Sequence, residues 1–256
     1  MSKIISIHSY RGGTGKSNFT ANIASCIASK GYRVGIIDTD LPSPGIHVLF
    51  NVNLEKLPHK LNDFLWGRCV IKNTVYDVSR ILPEGKGDRS QLYLVPASTK
   101  LADISRVLRE GFNAEILLQG LQDLSTFLGL DYLLIDTHPG LNEETLLSLT
   151  ISNLVLLILR PDQQDFQGTA VTIDVARRLQ VPNLKLIVNK VLKTYNFEQV
   201  GQKIAKTYDV PVVGVFPESE DIIKLASNGV FCLKYPHHPL SKIYQNIAQE
   251  ILAEIQ

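Results

Sequence analysis

The chain has 256 residues, of which 45% are hydrophobic and 20% are charged, and its formal net charge is +1. This composition is typical of an ordinary globular protein and excludes a low-complexity chain. A charge so close to zero does not by itself indicate a nucleic-acid or membrane partner. The length suits one α/β domain with a large core, so we predict a single domain over residues 1–256.

Cysteine usage and the first residues bear on the cellular compartment. Cys26, Cys69 and Cys232 are far apart, form no C-x-x-C pair and leave one cysteine over. This pattern argues against a disulfide framework and favours a reducing compartment, with each thiol a small buried side chain. No signal-peptide pattern precedes the first apolar run, and no run approaches about 20 residues. We therefore expect a cytoplasmic protein without a transmembrane segment.

Short apolar runs alternate with helical patterns along the chain. Strands are predicted at Lys3–His8, Val34–Asp38, Leu92–Pro96, Tyr132–Asp136, Leu154–Leu159, Leu184–Asn189 and Val212–Phe216. Helices are predicted at Ser17–Lys30, Ala114–Leu128, Glu143–Leu149, Phe166–Leu179, Phe197–Tyr208 and Ser241–Ile255. Residues 51–91 are the least regular part, and Leu57-Pro58, Leu82-Pro83 and Gly85-Lys86-Gly87-Asp88 within them are predicted to form loops and turns. Strands that are apolar on both faces predict an α/β fold, with a doubly wound, mostly parallel twisted sheet and helices on both faces.

The first strand leads into a glycine-rich segment that precedes a helix, which is the context of a phosphate-binding loop. Glycines lack a Cβ, so backbone N–H groups can close on an anion, and the helix points its positive end at the same place. The predicted nucleotide-binding residues of this loop are Gly12, Gly13, Thr14, Gly15, Lys16, Ser17 and Asn18. Lys16 is expected to reach the β- and γ-phosphates, and Ser17 to hold Mg²⁺.

The glycine-rich segment departs from the standard pattern G-x-x-x-x-G-K-[ST], because the first glycine of that pattern would fall at Tyr10. A basic residue and two consecutive glycines, Arg11-Gly12-Gly13, stand there instead. A glycine turn beside a lysine could arise by chance, but the strand before it and the helix after it favour a phosphate-binding loop.

Aspartates follow two other predicted strands. Asp38 and Asp40 end one strand and point the same way, because alternate residues of an extended chain share a face; Asp136 ends another strand. Since the carboxyl ends of parallel strands meet at one edge, these acids are expected beside the glycine loop. Asp38 or Asp40 would orient an attacking water, and Asp136, with Asp38, would hold Mg²⁺ or its water. For His138, a loop histidine with one hydrogen bond is favoured over a catalytic one.

Asn189 lies just past a fourth buried strand, where its amide can offer a donor and an acceptor to the edge of adenine. The combined motifs resemble those of the ParA/MinD ATPases. Arg11 to Ser17 resembles the deviant Walker A loop of that family, K-G-G-x-G-K-[ST], with Arg11 in place of the first lysine. The later matches are Asp38 and Asp40 with switch I, Asp136 to Gly140 with switch II, Asn189-Lys190 with the base-reading pair, and Pro217-Glu218 with the base-pocket loop.

The resemblance runs from Lys3 to about Leu252 and implies a P-loop ATPase that uses ATP and Mg²⁺. It also implies a homodimer that sandwiches two nucleotides, hydrolyses ATP slowly, is stimulated by a cargo adaptor protein and positions a cargo inside the cell. The family's first lysine enters the partner's site, so Arg11 would supply that charge, with Arg160 as a second candidate. The departure at Arg11 is also similar to the carboxysome-positioning ATPases of cyanobacteria.

Two stretches of the sequence could contact a further partner. The last predicted helix is amphipathic, but its polar face carries Glu250 and Glu254, which favours packing on the sheet over a membrane anchor. Basic residues between Ala176 and Lys206 predict non-specific DNA contact, and hence nucleoid association, although such a run can be an ordinary solvated face. The predicted DNA contacts are Arg177, Arg178, Lys185, Lys193, Lys203 and Lys206.

Other functions of the same fold remain open on the sequence. A plasmid or chromosome partition ATPase and a membrane-associated MinD-like regulator share the motifs. An iron–sulfur scaffold is disfavoured because Cys232 has no cysteine close to it in sequence. A biosynthetic P-loop synthetase is disfavoured by Arg11-Gly12-Gly13, and a structural dimer without hydrolysis is the non-enzymatic alternative.

Overall fold

The computed structural model describes residues 2–84, 87 and 89–255. The predicted turn at Gly85-Lys86-Gly87-Asp88 therefore lies, apart from Gly87, outside the described residues. The described strands are β1 (Lys3–His8), β2 (Arg33–Asp38), β3 (Tyr76–Asp77), β4 (Gln91–Val95), β5 (Tyr132–Asp136), β6 (Leu154–Leu159), β7 (Leu184–Val191) and β8 (Val212–Pro217).

These strands form one sheet in the order β3-β4-β2-β5-β1-β6-β7-β8. Every neighbouring pair is parallel except β3 and β4. The predicted α/β fold with a mostly parallel sheet is confirmed, and all seven predicted strands are present with ends shifted by at most two residues. The sequence did not predict β3, because a two-residue antiparallel edge strand leaves no periodic signal.

Helices cover both faces of the sheet. Their bounds are α1 (Lys16–Ala28), α2 (Ile46–Leu49), α3 (Leu61–Leu65), α4 (Leu101–Glu110), α5 (Ala114–Leu128), α6 (Glu143–Ile151), α7 (Gln163–Arg178), α8 (Phe197–Tyr208), α9 (Glu220–Leu225), α10 (Phe231–Lys234) and α11 (Pro239–Glu254). Single 3-10 turns occur at Leu54–Lys56, Ile71–Thr74 and Ser79–Ile81. All six predicted helices are present.

Leu57-Pro58 and Leu82-Pro83 lie outside helices and strands, as predicted, but residues 51–91 also contain α3, β3 and three 3-10 turns that were not predicted. Helix α4 was also not predicted, although its apolar residues follow a helical period, and Val107 is its only buried residue. Helix α7 begins three residues before the predicted start. The reason is a cap, as the Asp162 side chain accepts a hydrogen bond from the Asp165 N–H at 3.0 Å.

The core has a cluster of aromatic rings between the sheet and the layer formed by α1 and α11. The Phe19 ring centroid lies 4.7 Å from that of Phe216 and 5.1 Å from that of Tyr244. Ile247 and Ile251 of α11 are buried against the same cluster. The interpretation of the last helix as a packed element is confirmed, because its apolar face is already covered by the core.

Sheet register brings the polar strand ends together. In the pairing of β2 with β5, Asp38 lies opposite Asp136, and in the pairing of β1 with β5, Ile7 lies opposite Asp136. The glycine loop therefore starts directly beside both acids. This edge carries the carboxyl ends of the parallel strands, where ligands of open α/β sheets bind.

Candidate functional site

The glycine loop leaves β1 after His8 and turns into α1 at Lys16. Gly13 and Gly15 have φ values of 76° and 102°, a left-handed backbone that glycine adopts without steric cost. No side chain caps the first turn of α1. The first backbone N–H groups of any α-helix have no intrahelical partner, so those of α1 are also left without a side-chain partner and face the loop. This arrangement suits a bound anion.

The far side of the loop is held by the end of β7. Asn189 Nδ2 donates a hydrogen bond to the Thr14 carbonyl at 2.8 Å, and Lys190 Nζ donates one to the Gly13 carbonyl at 2.9 Å. An ideal Cβ on Gly15 would lie only 2.9 Å from Asn189 Nδ2. The predicted base-reading amide is thus within reach of the loop, although its role toward adenine is not tested by these contacts.

The predicted base-pocket loop starts at the end of β8. Pro217 pairs with Val191 of β7, and the exposed Glu218 donates its N–H to the Val191 carbonyl at 2.8 Å. The pairing of β7 with β8 therefore places Pro217 and Glu218 beside Val191, two residues after Asn189. Their contact with a base stays a prediction.

Lys16 is 7% exposed and faces carboxylates rather than solvent. Burial lowers its pKa, and the nearby Asp136, Asp40 and Asp38 oppose that shift. A buried ammonium group is stable only beside such opposite charges. Lys16 is therefore placed where it can exchange carboxylate neighbours for the oxygens of a bound phosphate.

Asp136 fits the requirements of a magnesium site shared with Ser17. Its Oδ1 accepts a hydrogen bond from Thr20 Oγ1 at 3.2 Å, and burial raises its pKa to about 6, while a hydrogen bond from Ser17 and the charge of Lys16 oppose the rise. Oδ2 of Asp136 is buried and accepts no hydrogen bond from any described residue. A buried carboxylate oxygen without a partner, beside a serine hydroxyl, suits a cation that carries phosphate and water oxygens as its other ligands.

Asp38 is fully buried and holds its own loop. Its Oδ1 accepts the Asp40 N–H at 3.1 Å and its Oδ2 accepts the Gly45 N–H at 3.3 Å. Burial raises its pKa well above the ordinary value, and Asp136 and Asp40 add to the rise, while these two hydrogen bonds oppose it. The loop after β2 is therefore ordered around Asp38.

Asp40 is more open and contacts His138. The His138 ring places Nδ1 2.8 Å from Asp40 Oδ1, which also accepts the Ser43 N–H at 3.2 Å. A second histidine, His8, was not singled out in the sequence. Its Nδ1 lies 2.8 Å from Thr137 Oγ1, and burial, followed by the charges of Lys16 and His138, lowers its pKa to about 3. His8 is therefore neutral at physiological pH.

Two acids at the start of α7, the cap residue Asp162 and Asp165 in the first turn, were missed by the sequence predictions. Arg11, expected to reach a partner, lies 3.4 Å from Asp162 Oδ1 and 3.7 Å from Asp165 Oδ1 of its own chain. Arg160, the second candidate, lies 3.1 Å from Asp165 Oδ2 and 3.4 Å from Asp162 Oδ2. The D-x-x-D spacing at a helix start was the available signal, since it is also a capping pattern.

Tyr10, which stands where the standard loop has a glycine, packs over α7. An ideal Cβ on Gly168 would lie 1.9 Å from Tyr10 Cδ1, so only glycine leaves room for the ring. Together with the ion pairs of Arg11, this contact attaches the front of the glycine loop to α7. Tyr10 and Arg11, which depart from the standard loop pattern, are therefore both held by contacts with α7 and its cap in their own chain.

One of the predicted DNA contacts was wrong. Lys185 is 8% exposed, and its Nζ lies 2.6 Å from Glu250 Oε1 and 2.5 Å from Glu254 Oε2 of α11. These ion pairs raise the pKa of Lys185 against the opposing effect of its burial. A buried, paired lysine cannot contact DNA phosphates, and the same pairs explain the acidic polar face of α11.

The remaining predicted contacts are exposed, namely Arg177, Arg178, Lys193, Lys203 and Lys206. Arg177 donates to the carbonyls of Tyr208 and Asp209 at 2.8 and 3.2 Å, so the ends of α7 and α8 lie side by side. This contact places Arg177 and Arg178 close to the basic end of α8. Lys193 lies before the start of α8 and hence at its opposite end.

The cysteines are free, as expected, but two of them meet. Cys26 Sγ lies 3.5 Å from Cys232 Sγ, and both side chains are buried, whereas Cys69 is partly exposed. The expectation of burial thus fails for Cys69. The pKa of the Cys232 thiol is raised by its hydrogen bond with Cys26 and by burial, so this thiol stays protonated, and the two cysteines pack between α1 and α10.

Known proteins resemble this chain over most of its length. The ParA family model, described as "NUBPL iron-transfer P-loop NTPase", matches residues 1–252. An uncharacterized ATP-binding protein of Methanocaldococcus jannaschii is 29% identical over 98% of this chain and 88% of that protein. The septum site-determining protein MinD of Bacillus subtilis is 23% identical over 99% and 90%. An iron–sulfur cluster carrier protein of Rickettsia felis is 29% identical over 84% and 61%.

Solved structures share the fold. MinD of Pyrococcus horikoshii, complexed with Mg-ADP, has a TM-score of 0.80 at 22% identity, covering 100% of this chain and 98% of that one. A putative plasmid partition protein of Borrelia burgdorferi bound to AMPPNP has a TM-score of 0.78 at 25% identity over 100% of both chains. Apo McdA of Cyanothece has a TM-score of 0.76 at 18% identity, covering 98% and 100%.

Among the described residues, no helix combines the length and the apolar content needed to cross a bilayer. The predicted resemblance is confirmed by the family model, which extends over nearly the whole sequence, and by the shared fold. The chain belongs to the ParA/MinD family of P-loop NTPases.

Proposed function

We propose that this protein is an ATP-hydrolysing switch that dimerises around ATP and Mg²⁺ and positions an intracellular cargo. The observation that carries the proposal is the pairing of an uncapped α1 amino terminus with Asp136, whose buried Oδ2 accepts no hydrogen bond from a described residue. The first feature suits a triphosphate and the second suits the metal that accompanies it. The amino terminus of α1 begins at Lys16, and Asp136 lies close enough to Lys16 to affect its pKa.

Each site residue then has one task. Lys16 and the backbone from Gly12 to Asn18 bind the phosphates, Ser17 and Asp136 hold Mg²⁺, and Asp38 or Asp40 orients the attacking water. Asn189, Pro217 and Glu218 lie where a base would follow the phosphates. When bound, Mg²⁺ neutralises the charge on the β- and γ-oxygens. Turnover is expected to be slow, because none of these residues is a strong base that could take a proton from the attacking water.

The cargo is proposed from two features, the replacement of the family lysine by Arg11 and the fold shared with McdA. Both favour carboxysome positioning through an adaptor protein that stimulates the ATPase, with partition of a plasmid or chromosome as the alternative. A MinD-like membrane role is disfavoured, because the apolar face of α11 is packed in the core.

Iron–sulfur carrier relatives raise a second function, which the cysteines disfavour. Such a carrier needs exposed thiolates as cluster ligands. Cys26 and Cys232 are buried with their thiols against each other, and Cys69 lies apart from them. The ATP switch is therefore preferred.

The proposal predicts that Arg11→Ala abolishes the ATP-dependent dimer and lowers turnover at least tenfold, because a positive charge in the partner's site is lost. ATP binding should persist, and Arg11→Lys should restore the dimer. Light scattering with ADP and with a slowly hydrolysed ATP analogue, together with phosphate release, measures both. Arg89→Ala is the matched control, since Arg89 also lies 3.4 Å from an aspartate of its own chain, Asp131.

A wild-type chain that stays monomeric with ATP and releases no phosphate would refute the proposed function itself. If the wild type dimerises and Arg11→Ala does so equally well, only the role of Arg11 is refuted. In that case Arg11 serves to anchor the loop to Asp162 and Asp165 within its own chain.

Non-specific DNA binding is the second prediction, now limited to the exposed basic residues. Lys203 and Lys206 lie three residues apart on α8 and share its exposed side. Replacing both by glutamate should weaken ATP-dependent retention on random duplex and lower the slope of log affinity against log salt by about 2. Lys185→Met is the matched control, because it removes a lysine that faces α11. Absence of any ATP-dependent retention at low salt would contradict the prediction.

A further inference from the structure

The two carboxylates proposed to orient water are held differently. Both oxygens of Asp38 accept backbone N–H groups, and its side chain is fully buried. Asp40 receives its hydrogen bonds on Oδ1 alone, from Ser43 N–H and from His138 Nδ1. Among the described residues, none donates to Asp40 Oδ2. Asp38 is thus occupied in ordering its loop, whereas Asp40 keeps one oxygen available for a ligand.

The contact between His138 and Asp40 follows from the sheet. Asp38 lies opposite Asp136 in the parallel pairing of β2 and β5. His138 and Asp40 each stand two residues beyond those aspartates, so the two loops that flank the glycine loop run side by side. An ionised carboxylate can only accept a hydrogen bond, so Nδ1 of His138 carries the proton in this contact.

His138 is not an ordinary core histidine. Its side chain is 30% exposed and that of Asp40 is 14% exposed, so the hydrogen bond lies at the surface of the cleft. A rotating carboxylate there would spread its oxygens over several positions, whereas a 2.8 Å bond to a ring fixed in its loop selects one. Misplacing a reacting group by about 1 Å costs on the order of a hundredfold in rate.

We propose that His138 is a positioning residue that holds Asp40 through Nδ1–H and Oδ1, so that Asp40 Oδ2, and not Asp38, orients the attacking water. This inference rests on the proposed ATPase function. In the reaction, the water oxygen bonds to the γ-phosphorus while the bond to the bridging oxygen of ADP breaks, and the proton of the water leaves with the phosphate product. Asp40 aligns the water during that step and keeps its own charge.

Two amide substitutions separate positioning from simple loop packing. In His138→Asn the side-chain nitrogen takes the place of Nδ1 and can donate to Asp40, whereas in His138→Gln the nitrogen lies one carbon further out, near the place of Nε2. The two variants differ by one methylene group and share their polarity. The exposed His237 provides the control variant His237→Asn.

The test measures kcat and KM for Mg-ATP in the wild type and in these three variants, with binding of a fluorescent ATP analogue and thermal unfolding in parallel. His138→Gln should lower kcat about ten- to hundredfold with KM within about twofold. His138→Asn should stay within about threefold of the wild type in both constants. His237→Asn should be unchanged, and all variants should bind the ATP analogue and unfold near the wild-type temperature.

Three outcomes would overturn the inference. One is that His138→Gln turns over ATP as fast as the wild type, and another is that His138→Asn falls as low as His138→Gln. The third is a rise in KM that accounts for the loss, which would indicate a role in binding. A wild type that binds ATP but releases no phosphate refutes the proposed function as a whole, so the two failures are told apart by the wild type alone.

Discussion

Replacing Lys16 with alanine is expected to lower the affinity for ATP about a hundredfold and to abolish turnover. Lys16 is buried beside Asp38, Asp40 and Asp136, so its removal leaves three carboxylates facing the triphosphate. A hydrogen bond to a charged group contributes about 3 kcal/mol at most, and each 1.4 kcal/mol or so is tenfold in affinity. The substitution also removes a charge that lowers the pKa of Asp136. Calorimetric titration with Mg-ATP measures the loss.

Two further variants make this result specific. Lys16→Met keeps the apolar stem and removes only the charge, so it should bind ATP as poorly as Lys16→Ala. Lys30→Ala removes an exposed lysine just after α1 and should bind ATP like the wild type. Affinity within a few-fold of the wild type in Lys16→Met would show that this ammonium group does not contact phosphate.

The second large effect is expected for Gly15→Ala, which should weaken ATP binding at least tenfold. Gly15 has a φ of 102°, and the added Cβ would lie 2.9 Å from Asn189 Nδ2, the donor to the Thr14 carbonyl. Asn189 must then move, and the contact that holds the far side of the loop is lost. Left-handed backbone at a residue with a side chain costs about 1–3 kcal/mol in addition.

Gly31→Ala is the matched control for Gly15→Ala. Gly31 has nearly the same φ, 100°, but its added Cβ would have no heavy atom within 4 Å. Urea unfolding should show a loss of stability from backbone strain in both variants, whereas ATP titration should show weaker binding only for Gly15→Ala. Equal ATP affinity in the two variants would contradict the proposed contact between the loop and Asn189.

Much of the fold could be predicted because its signals are local. Near-continuous apolar runs of four to seven residues specify buried parallel strands, and all seven such runs form strands of the sheet. Short or weakly buried elements were missed, among them the two-residue strand β3 and helix α4, whose only buried residue is Val107. Such elements are stabilised by the neighbours they meet in space, which the pattern of one segment does not contain.

The candidate site was predicted from strand ends. Asp38, Asp136 and Asn189 each follow an apolar run, Lys16 follows the glycine loop after β1, and parallel pairing carries all of these strand ends to one edge of the sheet. What these residues touch was not predictable in the same way. Asn189 donates to the Thr14 carbonyl, and Asp38 accepts from its own loop, because both contacts depend on loop paths.

The basic cluster shows the same limit for a surface. Lys185 and Lys203 are both lysines of one basic run, yet Lys185 points to Glu250 and Glu254 while Lys203 is exposed. The side chain of a residue on a central strand points to one of the two faces of the sheet, and the helix that covers that face supplies its partner. Sequence proximity could not tell these two lysines apart.

The sequence by itself determined the family, the α/β fold and the phosphate-binding loop, since each depends on residues that are neighbours along the chain. The tertiary structure alone decided that Arg11 pairs with Asp162 and Asp165, and that His138 holds Asp40. The physical reason is the strand order. The sheet sets β2 beside β5 and β1 beside β6, and so joins loops that are about 100 to 150 residues apart in the chain.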